Sequence, residues 1–438
     1  MEKINPFAYF YYHLYLLQLE EYNIGRYLRT VWVNGIPRKV LRKKLVWTQK
    51  MTVIALITGC LIVGLAALLS PLFLVLFYLS FIPITFVVIA LMPLDHSVKQ
   101  SLIRRAKLKL AQFPHLEVVG IAGSYGKTTI KETISTILSE KYTVLKTPEN
   151  MNTPLGIAQL ILNKLDNSIQ VFVVEMGEYT RGDIYDICIL VKPQTAIITG
   201  INEAHLERMG SIENTIAAIF ELAQYMDQKG LLVLNEDDHY VQENYHSFVT
   251  TQKIEFISRK KECHLQSGLL GRYATEVLQA GAAVGSYLGL TKEEIQTGAL
   301  KVLPLPHRLQ PIEGARGVLV IDDSYNGNPE GVTEAIRLLN TYVGRRKVFV
   351  TPGLVETGEK NEEVHRKIGK ELAPVADRVV LIKNSASPYI AQGLMEHGFD
   401  KNHIIWFKSA REAHEAMGEI IEPNDVVLFQ NDWPDNYR

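Results

Sequence analysis

The sequence predicts an α/β protein: an N-terminal transmembrane helical hairpin, then a domain with a mostly parallel sheet, then a second, smaller α/β domain. Three observations predict it. Residues 51–94 contain no Asp, Glu, Lys, Arg or His. From His115 onward, apolar runs rich in β-branched residues alternate with helical patterns, as in βαβ units whose sheet is covered on both faces. Between two such runs, Val118–Ala122 and Ile130–Leu138, lies Gly123-Ser124-Tyr125-Gly126-Lys127-Thr128-Thr129.

Taken in order, residues 1–50 read as an interfacial and basic segment. Phe7 to Leu19 packs Phe, Tyr and Leu around His13 in a run too short to span a bilayer; an aromatic helix in the headgroup region and a contact surface for a partner chain both fit it. The charge-free run 51–94 is about twice the ~20 residues one spanning helix needs, and Ser70-Pro71 near its middle marks a turn between two helices. Basic residues flank it, with Arg38, Lys39, Arg42, Lys43, Lys44 and Lys50 before and Lys99, Arg104, Arg105, Lys107 and Lys109 in the linker 95–113 after. The positive-inside rule then puts both ends in the cytoplasm, so the sequence predicts a multi-pass protein of the cytoplasmic membrane, with the lipid bilayer as a partner. A buried helix pair is the alternative.

The glycine-rich segment has the make-up of a phosphate-binding loop (P-loop). Glycines let backbone N–H groups turn onto phosphate oxygens, the Lys127 ammonium reaches the terminal phosphates, and the Thr128 hydroxyl suits Mg²⁺. Strands are expected at Val118–Ala122, Val171–Glu175, Thr195–Thr199 and Gly230–Leu234. A second series follows Leu303-Pro304-Leu305-Pro306, at Val318–Asp322, Lys347–Thr351, Val379–Ile382 and Asp425–Phe429. The proline pair sets a boundary near Leu305, giving domains at 114–305 and 306–438. A net charge of −1 offers no electrostatic case for nucleic acid, and the three widely spaced cysteines, Cys60, Cys188 and Cys263, fit a reducing compartment.

The order of the remaining motifs decides the reading. After the loop come Thr147-Pro148-Glu149-Asn150-Met151-Asn152-Thr153-Pro154, Glu175-Met176-Gly177, Asn202-Glu203-Ala204-His205 and Asn235-Glu236-Asp237-Asp238. Pro306-His307-Arg308, Asp322-Asp323-Ser324-Tyr325-Asn326-Gly327-Asn328-Pro329 and Pro352-Gly353-Leu354 follow. This series, over roughly His115 to Phe429, resembles the Mur ligases, ATP-dependent amide-forming enzymes of cell-wall peptide assembly, and most of all the MurF type. The resemblance implies a P-loop central domain, a Rossmann-like C-terminal domain, ATP and Mg²⁺ as cofactors, and an acyl-phosphate intermediate. It also implies roles: phosphate contacts from Gly123, Ser124, Tyr125, Gly126, Lys127, Thr128 and Thr129; metal contacts from Thr128, Glu175 and His205; a phosphate clamp from Arg308; ribose contacts from Asp323. Asn150, Asn152, Asn326 and Asn328 would line the substrate cleft. Lys127, His205 and Arg308 would act in catalysis.

This chain departs from the pattern in four places. Ile219, in Ala218-Ile219-Phe220-Glu221, stands where the family carries a carbamylated lysine, so a second metal site would regroup, around His205 and Glu221 or a water, or be missing. Tyr273-Ala274-Thr275-Glu276-Val277 replaces an adenine-contacting asparagine helix start, and Gln430-Asn431-Asp432 replaces Lys-Gly-Ser near the incoming amine. Residues 1–113 stand where the family has a domain that grips a UDP-sugar, which points to a membrane-held cell-envelope precursor, such as a lipid-linked glycopeptide, joined to an amino acid or short peptide. The alternatives are a poly-γ-glutamate synthetase-like ligase and a non-catalytic ATP-binding scaffold.

Overall fold

The computed structural model describes residues 5–34, 44–68, 73–148, 151–202, 209–325, 327–355 and 357–431. The Ser70-Pro71 turn and the candidate site residues Asn150, His205 and Asn326 lie outside them. The chain divides into two compact units near Ser101 and Leu102.

In the first unit the helices are Pro6–Leu19, Ile24–Asn34, Gln49–Leu68, Phe73–Tyr78 and the start of Phe81–Leu110. The aromatic helix Pro6–Leu19 begins at Asn5, whose side chain accepts from Phe7 N, with proline at the first helical position. Its Tyr12, Leu14, Tyr15, Leu16 and Leu17 are buried with Met51, Ile54, Ile84, Val87 and Val88. His13 Nδ1 meets Ser80 Oγ at 2.8 Å inside this cluster. The apolar segment 51–94 therefore gives part of its surface to an internal core shared with the N-terminal helix.

That arrangement corrects the expected multi-pass placement. Among the described residues, only Phe81–Leu110 is long and apolar enough to cross a membrane, and the apolar stretch Gln49–Leu65 falls short. The second expected helix is divided into the six-residue Phe73–Tyr78 and Phe81–Leu110, which runs through Pro93. One helix of the required kind does not supply the even number of crossings that a hairpin needs.

The second unit holds two six-stranded sheets. The first has β1 (Glu117–Ala122), β2 (Val144–Lys146), β3 (Val171–Glu175), β4 (Thr195–Ile198), β5 (Leu231–Asn235) and β6 (Lys253–Ile257) in the order β2-β3-β1-β4-β5-β6. All pairings are parallel. The pleat sends Val118, Phe172, Val174 and Ile198 to one face, under helices Pro154–Lys164, Asp183–Val191 and Ile212–Tyr225. Val119, Ile121, Val173 and Ile197 go to the other, under Lys127–Leu138, Tyr273–Tyr287 and Lys292–Leu300. The helices that follow the neighbouring strands β1 and β3 thus leave on opposite faces, which opens a crevice at their C-terminal ends.

The second sheet has β7 (Gln310–Glu313), β8 (Leu319–Asp323), β9 (Lys347–Thr351), β10 (Arg378–Ile382), β11 (Ile404–Phe407) and β12 (Val426–Gln430). Their order is β11-β10-β9-β12-β8-β7, parallel except for β7, which runs antiparallel to β8. Helices Pro329–Asn340, Asn361–Leu372 and Ser387–Glu396 cover one face and Ala410–Ile420 the other.

Candidate active site

The loop after β1 is shaped by close backbone approach. Gly123 has φ +140°, and a Cβ there would lie 2.1 Å from Thr199 Oγ1. Gly126, φ +76°, is the N-cap of helix Lys127–Leu138 and provides no side-chain cap. The first N–H groups of that helix are thus left to an anion, which the helix dipole favours. Ser124 N donates to Gly200 O at 2.8 Å, and the Tyr125 hydroxyl donates to Asp238 Oδ2 at 2.9 Å. Burial, with Asp238 adding to it, pushes that hydroxyl's pKa up, so it stays a donor. Thr129 follows in the first helical turn.

On the β3 side the charged groups converge. Thr128 Oγ1 donates to Glu175 Oε1 at 3.2 Å. Glu175 Oε2 lies 3.1 Å from the fully buried Lys131 Nζ, in an ion pair whose geometry leaves that oxygen without a hydrogen bond. Lys127 Nζ donates to both oxygens of Glu178 at 3.0 Å and also to Gly123 O. Asn152 packs on the loop after β3: Gly177 N donates to its carbonyl at 2.8 Å, and a Cβ at Gly177 would strike its side chain.

Two hard oxygens of different residues, one with an unused lone pair, at the mouth of a phosphate loop, fit a divalent cation such as Mg²⁺. Among the described residues no group of three or more His, Cys, Asp or Glu surrounds a metal position, so phosphate oxygens or water would complete the shell.

A second group sits at the start of the C-terminal domain. The Arg308 guanidinium lies 4.8 Å from the Tyr325 ring centroid. His307 Nδ1 is 2.7 Å from Asp322 Oδ2, and Asp323 Oδ1 accepts from Leu309 N at 3.2 Å. Burial pushes the Asp323 carboxyl up to about 7, against the opposing pull of the Leu309 N–H and the Arg308 charge. Tyr273, from the central domain, feels both Asp323 and Arg308 and packs on both cores. The Asn328 side chain caps Pro329–Asn340 by accepting from Gly331 N.

The departures also have places. Ile219 is fully buried in the apolar core. The two oxygens of Glu221 accept from Gly182 N at 2.8 Å and Tyr185 N at 2.9 Å, holding the start of helix Asp183–Val191. His205, the other residue around which a second metal site would regroup, lies outside the described residues. Val277 is buried against β-strand side chains. Gln430 accepts from Thr351 Oγ1 at 2.9 Å, while Asn431 accepts from Gly327 N at 2.9 Å and donates to Gly353 O at 2.5 Å, tying two loops together.

Sequence reasoning missed Glu178, Lys131 and the contacts between the lobes. Arg259 Nε and Nη2 take both oxygens of Glu276 at 2.7 and 3.1 Å, and Nη1 takes Glu334 of the C-terminal domain at 2.8 Å. Asn202 donates to Glu330 beside a cavity of about 170 Å³ that Tyr125, Asn235 and Asp238 also line. Glu178 was visible as an acid three residues after Glu175. The others have no local signal, because each partner lies tens of residues away.

Residues 121–284 match the family model of the Mur ligase middle domain, and residues 307–430 that of the Mur ligase glutamate ligase domain. The chain is 27% identical over 332 residues to the UDP-N-acetylmuramoyl-tripeptide–D-alanyl-D-alanine ligase of Bacillus subtilis, covering 72% of each chain. It is 29% identical over 348 residues to the enzyme of that name from Escherichia coli, covering 72% of this chain and 76% of the other. The solved MurF ligase from Thermotoga maritima in complex with ADP superposes with a TM-score of 0.66 at 26% identity, covering 76% of this chain and 80% of that one. MurF from Acinetobacter baumannii gives a TM-score of 0.68 at 23% identity, over 76% and 77%, and speaks for the fold alone. A phosphate loop, a carboxylate pair beside it and two α/β domains of this topology, matched along this length, make the chain a member of the Mur ligase family: a MurF-like, ATP-dependent acid–amine ligase that uses ATP and Mg²⁺.

Proposed function

We propose that this ligase joins the carboxylate of a cell-envelope precursor to an amino acid or dipeptide through an acyl phosphate. The observation that carries the reading is the convergence of Lys127, Thr128 and Glu175 on one loop mouth. In this reading a carboxylate oxygen of the acceptor forms a bond to the γ-phosphorus as the bond to ADP breaks. The amine then forms the C–N bond, loses a proton, and phosphate leaves with the former carboxylate oxygen. Lys127 and the N–H groups at the start of helix Lys127–Leu138 hold the developing phosphate charge, Arg308 clamps it, and Asp323 takes the ribose hydroxyls. Thr128 and Glu175 would hold Mg²⁺, which supplies charge neutralisation between phosphates. His205 is proposed beside the same phosphate, and Asn150, Asn152 and Asn326 along the acceptor.

The relatives' names specify a UDP-linked tripeptide and D-alanyl-D-alanine. The helices of the first unit leave Leu56, Val63, Phe86, Ile89, Met92 and Leu94 exposed. That surface favours an acceptor with an apolar carrier, a lipid-linked glycopeptide, over a free nucleotide sugar. The test is to incubate the full chain with ATP, Mg²⁺, D-alanyl-D-alanine or single amino acids, and either acceptor labelled with ¹⁸O in its carboxylate. Label in the released phosphate supports the acyl phosphate, and its absence despite product formation refutes it. Faster turnover of the UDP-linked acceptor refutes the apolar carrier.

A further inference from the structure

The P-loop lysine already has its hydrogen-bonding capacity filled. An ammonium has three donors, and Lys127 Nζ places them on Gly123 O, Glu178 Oε1 and Glu178 Oε2. The pair is shielded from solvent, with side-chain exposures of 13% for Lys127 and 3% for Glu178. Lys131 is likewise matched to Glu175. Among the described residues, the two buried ammoniums at the loop mouth thus face two buried carboxylates, and these four groups together offer a polyphosphate little net positive charge.

A triphosphate that takes Lys127 must draw it from Glu178. The carboxylate then stands beside the phosphates without that ammonium, and two anions face each other in a region of low dielectric. A divalent cation arriving with the nucleotide relieves the conflict, since it adds two positive charges where the ammonium has been withdrawn. A metal-free nucleotide brings no such relief. Deepening the ATP-ligase reading above and resting on it, we propose that Glu178 is a specificity-determining residue that admits nucleotide only as its divalent-metal complex, by acting as the counter-ion that metal-free phosphates cannot displace. Glu178 lies in the loop after β3, three residues beyond that strand's last residue Glu175, and its part in this proposal is to set the charge balance of the site.

The test is calorimetric binding of ADP to the full chain, with Mg²⁺ and separately with EDTA, for the wild type, Glu178→Gln and Glu178→Asp. The wild type should prefer the Mg²⁺ complex by at least about tenfold, the scale of a hydrogen bond to a charged group. Glu178→Gln should tighten metal-free ADP by about tenfold and Mg²⁺-ADP by far less, so that the preference collapses. Glu178→Asp, which keeps the charge, should keep the preference. A merely structural role predicts the opposite sign, weaker binding in both conditions, and that result overturns the proposal. So does a wild-type preference near one, which requires no variant. If Glu178→Gln does not fold, as read from its thermal transition, Glu178→Met replaces it with the same expectation. Absence of ADP binding to the wild type in either condition overturns both this proposal and the nucleotide reading, whereas binding without metal preference overturns this one alone.

Discussion

At the scale of single residues, Lys127 and Asp323 carry the two most direct consequences. Replacing Lys127 with Ala removes a charged donor aimed at the loop mouth, and turnover of ATP should fall by about a hundred- to a thousandfold, as for loss of one preorganised electrostatic contact; unchanged phosphate release would refute its role. Asp323 titrates near 7 when folded because burial disfavours its charge, whereas the unfolded chain has an ordinary aspartate. The folded state therefore binds the proton more tightly, so the stabilisation is full below about pH 4 and is lost as pH rises through about 7. The melting temperature of the wild type relative to Asp323→Asn should accordingly decline across that window. A difference that is flat with pH would contradict the burial argument. The glycines and charged residues of the loop were legible in the sequence because each chemical task there needs one residue type at one spacing. Glu178 was present only as an acid three residues after Glu175, a signal that names no task, and it gains its meaning from the 3.0 Å contact.

At the scale of elements, the interior strands of the two sheets were the readable ones: β1, β3, β4, β5, β8, β9, β10 and β12 were all expected within a residue or two of where they form. The edge strands escaped. β2 is three residues long, and β6 reads Lys-Ile-Glu-Phe-Ile, half exposed, so neither produces an apolar run. The apolar segment after residue 50 misled for the converse reason: composition alone does not separate a residue facing lipid from one facing another helix, and Met51, Ile54, Ile84 and Val87 face other helices. Glu221 illustrates how an element can depend on a side chain far away in sequence. Its carboxylate serves two N–H groups at the start of helix Asp183–Val191 across 36 and 39 residues. Glu221→Ala should destabilise the protein by about 1–3 kcal/mol, the cost of leaving such donors unmet, and denaturant unfolding measures it. A change under a few tenths of that range would mean solvent replaces the acceptor freely.

At the scale of the whole molecule, the central and C-terminal domains are joined by charge as well as by chain. Arg259 bridges Glu276 of one to Glu334 of the other. Burial also raises the Glu276 carboxyl, against the lowering pull of Arg259. Arg259→Ala should cost about 3–5 kcal/mol, because it removes the guanidinium from the buried Glu276, whereas Glu334 keeps Arg337 at 2.6 Å, and adding Glu276→Gln should recover part of that loss. Purely additive effects in the double variant would show that the three groups act separately. The second sheet has a further property as a body among other bodies. One of its borders is β7, four residues with Pro311 second and Glu313 last, laid antiparallel on the strand that carries Asp322 and Asp323. A short border that includes a proline and ends in an acid gives a neighbouring chain little to pair with. The strand bearing the ribose-contacting candidate is thus covered on its outer side by a border that gives an intermolecular strand little to template on.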